Sequence, residues 1–176
     1  KVLLAGSDSD GPYLTSAELY DPGTMTFKPA ASMHYERAHH TATLLQSGDV
    51  LVVGGAANAE AELYFPDADE FVPIGLPFVP GRFYHTATRL QDGNVLVTGG
   101  ETHESDAALD ITEMYDWKTR KFSVLDQPVV ETRLYHRATL LKNGDVLLTG
   151  GRENEGAPPR LTGEIYRPGI GFLPLA

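Results

Sequence analysis

Cysteine is absent from the 176 residues of this chain. Disulfides, thiolate metal centres and cysteine nucleophiles are therefore excluded from this stretch of polypeptide. No apolar run approaches the roughly 18 residues a membrane helix needs, so no membrane span is expected. No basic segment followed by an apolar core marks a secretion signal. Basic residues are few: 14 Lys and Arg stand against 24 Asp and Glu, a formal net charge of −10. They are scattered singly, whereas duplex binding needs a basic stripe that displaces counterions. Nucleic acid and anionic membrane surfaces are thus not expected as partners. No segment keeps a 3.6-residue apolar period long enough for a helix. Tryptophan occurs once, at Trp117.

What is present is one sentence written three times. It reads Arg37-x-x-His40-Thr41-Ala42-Thr43-Leu44-Leu45-x-x-Gly48-x-Val50-Leu51-Val52-x-Gly54-Gly55. It returns from Arg82 and His85 to Gly99-Gly100, and again from Arg133 and His136 to Gly150-Gly151. The histidines lie 45 and then 51 residues apart, and the glycine pairs keep the same intervals. A period near 50 predicts stacked supersecondary units, none able to bury its apolar faces alone. Lys1 opens directly onto Val2-Leu3-Leu4-Ala5-Gly6, the second half of the repeat, so the chain reads as an excerpt of something longer.

Each repeat reads as four strands. Residues 85–90 predict a strand that ends at Asp92-Gly93, a hairpin signal because Gly accepts positive φ. Ser47-Gly48-Asp49 and Asn143-Gly144-Asp145 match it. Val95-Leu96-Val97-Thr98 is almost continuously apolar and predicts a strand buried on both faces. Gly99-Gly100 ends it. After a variable loop, residues 112–116 predict a third strand, matched by residues 17–22, 61–66 and 163–168. In it Leu19, Leu63, Met114 and Ile165 face one side. Glu18 and Tyr20, Glu62 and Tyr64, Glu113 and Tyr115, and Glu164 and Tyr166 face the other. A fourth strand is expected around Phe27, Phe71, Phe122 and Phe172. Four short antiparallel strands per repeat describe a propeller blade.

The Gly-Gly pair, the Glu-x-Tyr-Asp-Pro run and the downstream aromatic resemble kelch repeats over essentially the whole chain. The sequence is similar to repeats of bacterial kelch proteins and galactose-oxidase-like propellers. The resemblance implies an all-β, kelch-type β-propeller of four-stranded antiparallel blades, at about residues 1–31, 32–76, 77–127 and 128–176. Four blades are visible, and the first lacks its opening strand. Two positions depart from the pattern. The fourth-strand Trp of kelch is Phe here, with Trp117 in the preceding turn, and Ala5-Gly6 stands where the other repeats carry Gly-Gly. Kelch rings generally have six or seven blades, so four leave an apolar edge that invites another chain. The segment then belongs to a larger ring, or two copies form a homodimer that completes one. Galactose-oxidase-like enzymes build a copper site on a tyrosine crosslinked to cysteine. Without cysteine the resemblance implies the scaffold and not the oxidase, and no cofactor. It also implies an extracellular or periplasmic bacterial setting.

In a kelch propeller the loop entering the innermost strand faces the central funnel. The resemblance therefore places Arg37, His39, Arg82, Tyr84, Arg133 and Tyr135 at one mouth as ligand-binding candidates. Arg forks suit carboxylates and phosphates, and aromatic rings stack on sugars. A competing use takes precedence, because an element present in every unit ordinarily joins units. His40, His85, His136, Gly54, Gly55, Gly99, Gly100, Gly150 and Gly151 are assigned to architecture, as are the third-strand Glu and Tyr residues. The glutamates, one per unit, are too far apart for paired acid–base work and are expected to make salt bridges between units or backbone contacts. Asp8-x-Asp10-Gly11 resembles the start of a calcium loop without its closing Glu and reads as a turn. His103-Glu104 alone make no metal site. No catalytic set and no metal are expected.

The loops at residues 7–14, 56–59, 101–110 and 152–161 vary in length, and repeat scaffolds carry recognition in such loops. Glu101, Glu104, Asp106, Asp110, Glu153 and Glu155 make two of them acidic. The expected function is a non-enzymatic binding or scaffold module for a protein or glycan ligand. The alternatives are a carbohydrate-active enzyme with its site at the funnel and a structural assembly subunit.

Overall fold

The structure, a computed structural model, describes residues 1–7, 12–57, 59–102, 104–105 and 107–175. Among them there is no helix, and the chain is all-β with antiparallel sheets. The first sheet has three strands in the order β1 (Val2–Ala5), β2 (Ala17–Asp21) and β3 (Thr26–Pro29). The second has four, β4 (Thr41–Leu44), β5 (Val50–Val53), β6 (Glu62–Phe65) and β7 (Glu70–Pro73). A short two-stranded sheet joins β8 (Arg82–Phe83) to β11 (Glu101–Thr102). The next four-stranded sheet runs β9 (Thr86–Arg89), β10 (Val95–Thr98), β12 (Glu113–Asp116) and β13 (Lys121–Val124). The last comprises β14 (Arg137–Leu140), β15 (Val146–Thr149), β16 (Gly163–Arg167) and β17 (Gly171–Pro174). No sheet closes on itself among the described residues. No helix among them is long and apolar enough to cross a membrane.

The turn chemistry accounts for the hairpins. Gly48, Gly93 and Gly144 take φ of 95°, 92° and 92° at the turn between the first two strands of each four-stranded sheet. Register follows from the aromatic spacing. Tyr20 lies opposite Phe27, Tyr64 opposite Phe71, Tyr115 opposite Phe122 and Tyr166 opposite Phe172. Their rings meet at 4.8–5.1 Å, and each such pair contributes about 0.2–1 kcal/mol. Trp117 does not stand in for a fourth-strand aromatic. Its indole N–H donates to the Asp92 carbonyl at 3.2 Å and braces the hairpin turn at Gly93.

Register also corrects one alignment. Val2 pairs with Tyr20 as Val50 pairs with Tyr64, so Gly6 and Ser7 correspond to Gly54 and Gly55. The departure from Gly-Gly lies at Ser7 and not at Ala5.

The sheets stack face to face in chain order. Leu3, Ala5 and Leu19 share a cluster with Val52, Tyr64 and Phe71 of the second sheet. The second sheet's other face, with Leu51, Val53 and Leu63, meets Val95, Val97, Tyr115 and Phe122. Leu96 and Met114 meet Val146, Leu148, Tyr166 and Phe172. Alternation along each strand thus serves two neighbours at once. Each fully buried Leu or Val contributes about 1.5–3 kcal/mol, so these layers bind sheet to sheet. The first strands come closest, with β9 lying between β4 and β14. That places the segments just before β4, β9 and β14 together at one end.

Candidate functional site

Those segments carry the repeated Arg, and the structure seals it inside. Arg37, Arg82 and Arg133 are almost wholly buried. Arg37 donates from Nη2 and Nε to Glu62 at 2.9 and 3.1 Å. Arg82 Nη2 donates to Glu113 at 2.8 Å, and Arg133 Nε to Glu164 at 3.2 Å. A second bond goes from Nη1 to the carbonyl of Gly54, Gly99 or Gly150 at 2.7–2.8 Å. The other Glu oxygen accepts a backbone N–H from His34, Phe78 or Val130 at 2.7–2.8 Å. Each pair lies within one sheet's own unit, not between units as the spacing suggested, because the Arg precedes the first strand of the sheet whose third strand holds the Glu. With both charges fully bonded, these arginines offer no free fork to a ligand.

The Arg backbone makes the link between sheets. The carbonyls of Arg37, Arg82 and Arg133 accept N–H bonds from Ser7, Gly55 and Gly100 of the preceding sheet at 3.0, 2.9 and 2.7 Å. The histidines add a second link. His85 Nε2 meets the Thr41 hydroxyl, and His136 Nε2 the Thr86 hydroxyl, each at 2.9 Å. The His85 and His136 rings stand against Gly54 and Gly99, and His40 against Gly6, where a Cβ would come within 2.7 Å of each ring. Glycine is required there by close approach as well as by positive φ.

Burial, followed by the neighbouring arginine charge, pulls His40 and His136 down to about 4 and holds His85 well below 6.5. A proton at Nδ1 of any of the three would find no well-aligned acceptor among the described residues. The unfolded chain takes up protons near pH 6.5, and the folded chain does not until about pH 4. Stability is therefore complete above pH 6.5 and falls as pH drops through that window. Each histidine adds a slope of up to about 1.4 kcal/mol per pH unit. Urea midpoints should fall clearly between pH 7.5 and pH 5, and His85→Gln should flatten the dependence. A midpoint constant over that range would contradict buried neutral imidazoles.

Two residues beyond each Arg stands an aromatic ring that does reach solvent. His39, Tyr84 and Tyr135 form a ladder across three sheets, with ring centroids 4.6 and 4.2 Å apart. All three hold left-handed backbone, with φ of 54°, 55° and 59°. Non-glycine residues there cost on the order of 1–2 kcal/mol each. Tyr135 is 45 % exposed. Its hydroxyl donates to Glu155 at 3.1 Å, and the Arg152 guanidinium lies 5.7 Å from its ring centre. Burial raises the Tyr135 phenol well above its usual value, with Tyr84 and Glu155 reinforcing the shift, so it stays a neutral donor.

The variable loops border this ladder. Arg152 and Glu155 belong to one, and Ala108 of another donates to the Glu153 carbonyl at 2.8 Å. Tyr13 packs on Phe83 at 6.3 Å. Sequence reasoning did not link Arg152 or Glu155 to Tyr135, and the one available signal was the acidity of their loop. Glu153 lies 3.5 Å from Arg160. The Asp8-x-Asp10-Gly11 run, His103 and Asp106 lie outside the described residues. Among the described residues, no three His, Asp or Glu side chains gather as a metal site would require. No protein-family model matches the chain, and a search of curated proteins finds no relative.

Proposed function

We propose that the four stacked sheets are blades of a kelch-type β-propeller and that the chain serves as a non-enzymatic recognition module. Its ligand is a sugar-containing molecule that stacks on the His39–Tyr84–Tyr135 ladder. The observation that carries this reading is the recurrence of one strained position. Three partly exposed aromatic rings sit on left-handed backbone at the same point of three repeats, where glycine would be cheaper. Strain of this kind collects at ligand clamps. Aromatic faces suit the apolar faces of sugars, and the hydroxyl, carboxylate and guanidinium at the Tyr135 end suit sugar hydroxyls. The kelch assignment rests on the repeated motifs and on sheets that stack in chain order.

The test pairs binding with stability. Tyr135→Gly relieves the backbone and removes an exposed ring, so its unfolding free energy should stay within about 1 kcal/mol of wild type. Its binding on a glycan array should drop to background. Undiminished glycan binding by the variant would place the site elsewhere. Binding to proteins alone would replace the sugar with a peptide ligand.

A further inference from the structure

The gap between the second and third sheets and the gap between the third and fourth are filled differently at their hairpin ends. In the earlier gap Trp117, two residues past Tyr115, packs against the cluster that holds Leu45 and Leu63. Its ring lies over the Gly93 turn, where a Cβ would come within 2.5 Å of the indole nitrogen and 2.6 Å of Gln46 Oε1. In the later gap the residue two past Tyr166 is Pro168. Gln91 still reaches the turn of the next sheet, and its Nε2 donates to the Lys142 carbonyl at 3.1 Å. A Cβ on Gly144 would find Gln91 atoms nearest, at 3.1–3.6 Å, and no ring closer. A cleft of about 460 Å³ opens there, with Leu90 on one wall and Gly144 and Pro168 on the other. Small-molecule sites span roughly 300–1,000 Å³, so this one holds a ring with a short side chain.

The polar groups of this cleft are unequally satisfied. Asp145 is matched by Arg167, whose Nη2 donates to it at 2.8 Å. Asp92, on the third-sheet wall, accepts only from the backbone N–H and side-chain amide of Asn94, each at 3.0 Å. Its charge therefore has no cationic partner among the described residues. The backbone is uneven as well. In the earlier gap the Asp92 carbonyl accepts the Trp117 indole N–H. Asn143 holds the same turn position in the last sheet, and its carbonyl takes no donor among the described residues.

We propose that this cleft binds a small cationic arylalkylamine, a nitrogen heteroaromatic ring that carries an ammonium group on a short chain. The ring lies between Leu90 and Pro168, as the indole of Trp117 lies against Leu45. Its ring N–H donates to the Asn143 carbonyl, and the ammonium pairs with Asp92. Arg167 is already engaged by Asp145, so an anionic side chain on the same ring would meet Asp92 with no free cation to offset it. The cleft sits at the hairpin end of the strands, opposite the end that carries the His39–Tyr84–Tyr135 ladder. The inference does not depend on the ladder's ligand.

The probe is tryptamine, titrated into the protein by calorimetry, with backbone amide shifts read by NMR. One site per chain is expected, with Kd below about 1 mM and shifts at Gly144 and Asp145. Indole-3-acetate has the same ring and the opposite charge, and should bind at least about tenfold more weakly. The benzofuran analogue of tryptamine lacks the ring N–H and should lose about threefold. Asp92→Asn removes the charge and should weaken tryptamine by about threefold or more. Pro168→Trp puts an indole at the mouth of the cleft and should weaken it by at least about tenfold. Asp92 is exposed, so Asp92→Asn leaves folding intact, which a thermal melt verifies. The comparison of tryptamine with indole-3-acetate uses the wild-type protein and stands whatever the variants do. No saturation up to about 1 mM, equal affinity for indole-3-acetate, or undiminished binding to Asp92→Asn would overturn the proposal. Shifts confined to His39, Tyr84 and Tyr135 would also overturn it, by moving the amine to the ladder.

Discussion

Arg82→Ala should destabilise the protein by about 3–5 kcal/mol and lower its Tm by roughly 10 °C or more. Arg82 and Glu113 are both about 1 % exposed and meet at 2.8 Å. Removing the guanidinium strands a buried carboxylate and leaves the Gly99 and Ile111 carbonyls without their donor. Glu113→Ala should cost a similar amount, because it strands the cation and the Phe78 amide. The double variant Arg82→Met/Glu113→Leu leaves no charge buried and should cost well under the sum of the two single changes. Denaturant unfolding of all three gives the coupling. Strict additivity would show that the pair does not act as one buried unit.

Gly99→Ala should be far worse than Gly150→Ala, although the two glycines occupy the same place in successive repeats. Their φ values are 60° and 68°, so both substitutions carry the left-handed penalty of about 1–2 kcal/mol. At Gly99 the new Cβ would lie 2.2 Å from the Arg133 carbonyl oxygen and 2.7 Å from His136 Cε1. That carbonyl accepts the Gly100 N–H, so the clash pushes the last sheet away from the third. At Gly150 the new Cβ would meet no atom of the described residues within 4 Å beyond its chain neighbours. Gly99→Ala should therefore cost at least about 2 kcal/mol more, in line with overpacking a tight contact. Equal urea midpoints for the two variants would contradict sheet-to-sheet packing through the glycine.

Much of this architecture could be read from residue order. Hairpin glycines marked the turns, and the seven-residue gap from Tyr64 to Phe71 is the register of β6 on β7. Periodicity could not say which Arg meets which Glu, because every repeat contains both. Pairing within one unit emerges from the chain path alone. The β8–β11 pairing was equally hidden, since Glu101-Thr102 has loop-like sequence and joins β8 through tertiary placement. The ladder was half visible. Tyr84 and Tyr135 stood out as aromatics beside His39, but their left-handed backbone and their stacking leave no mark in composition. Burial then separated residues two apart: Arg133 is enclosed, and Tyr135 is open.

That division of labour is tested most directly by melting Arg82→Ala and Tyr135→Gly side by side with wild type at pH 7.5. Arg82→Ala should lose roughly 10 °C or more, and Tyr135→Gly should stay within about 4 °C. Such a result makes the arginines structural locks and frees the aromatic ladder for a ligand. If Tyr135→Gly fell as far as Arg82→Ala, the ladder would be part of the core that holds the sheets together, and the site proposed on it would be lost.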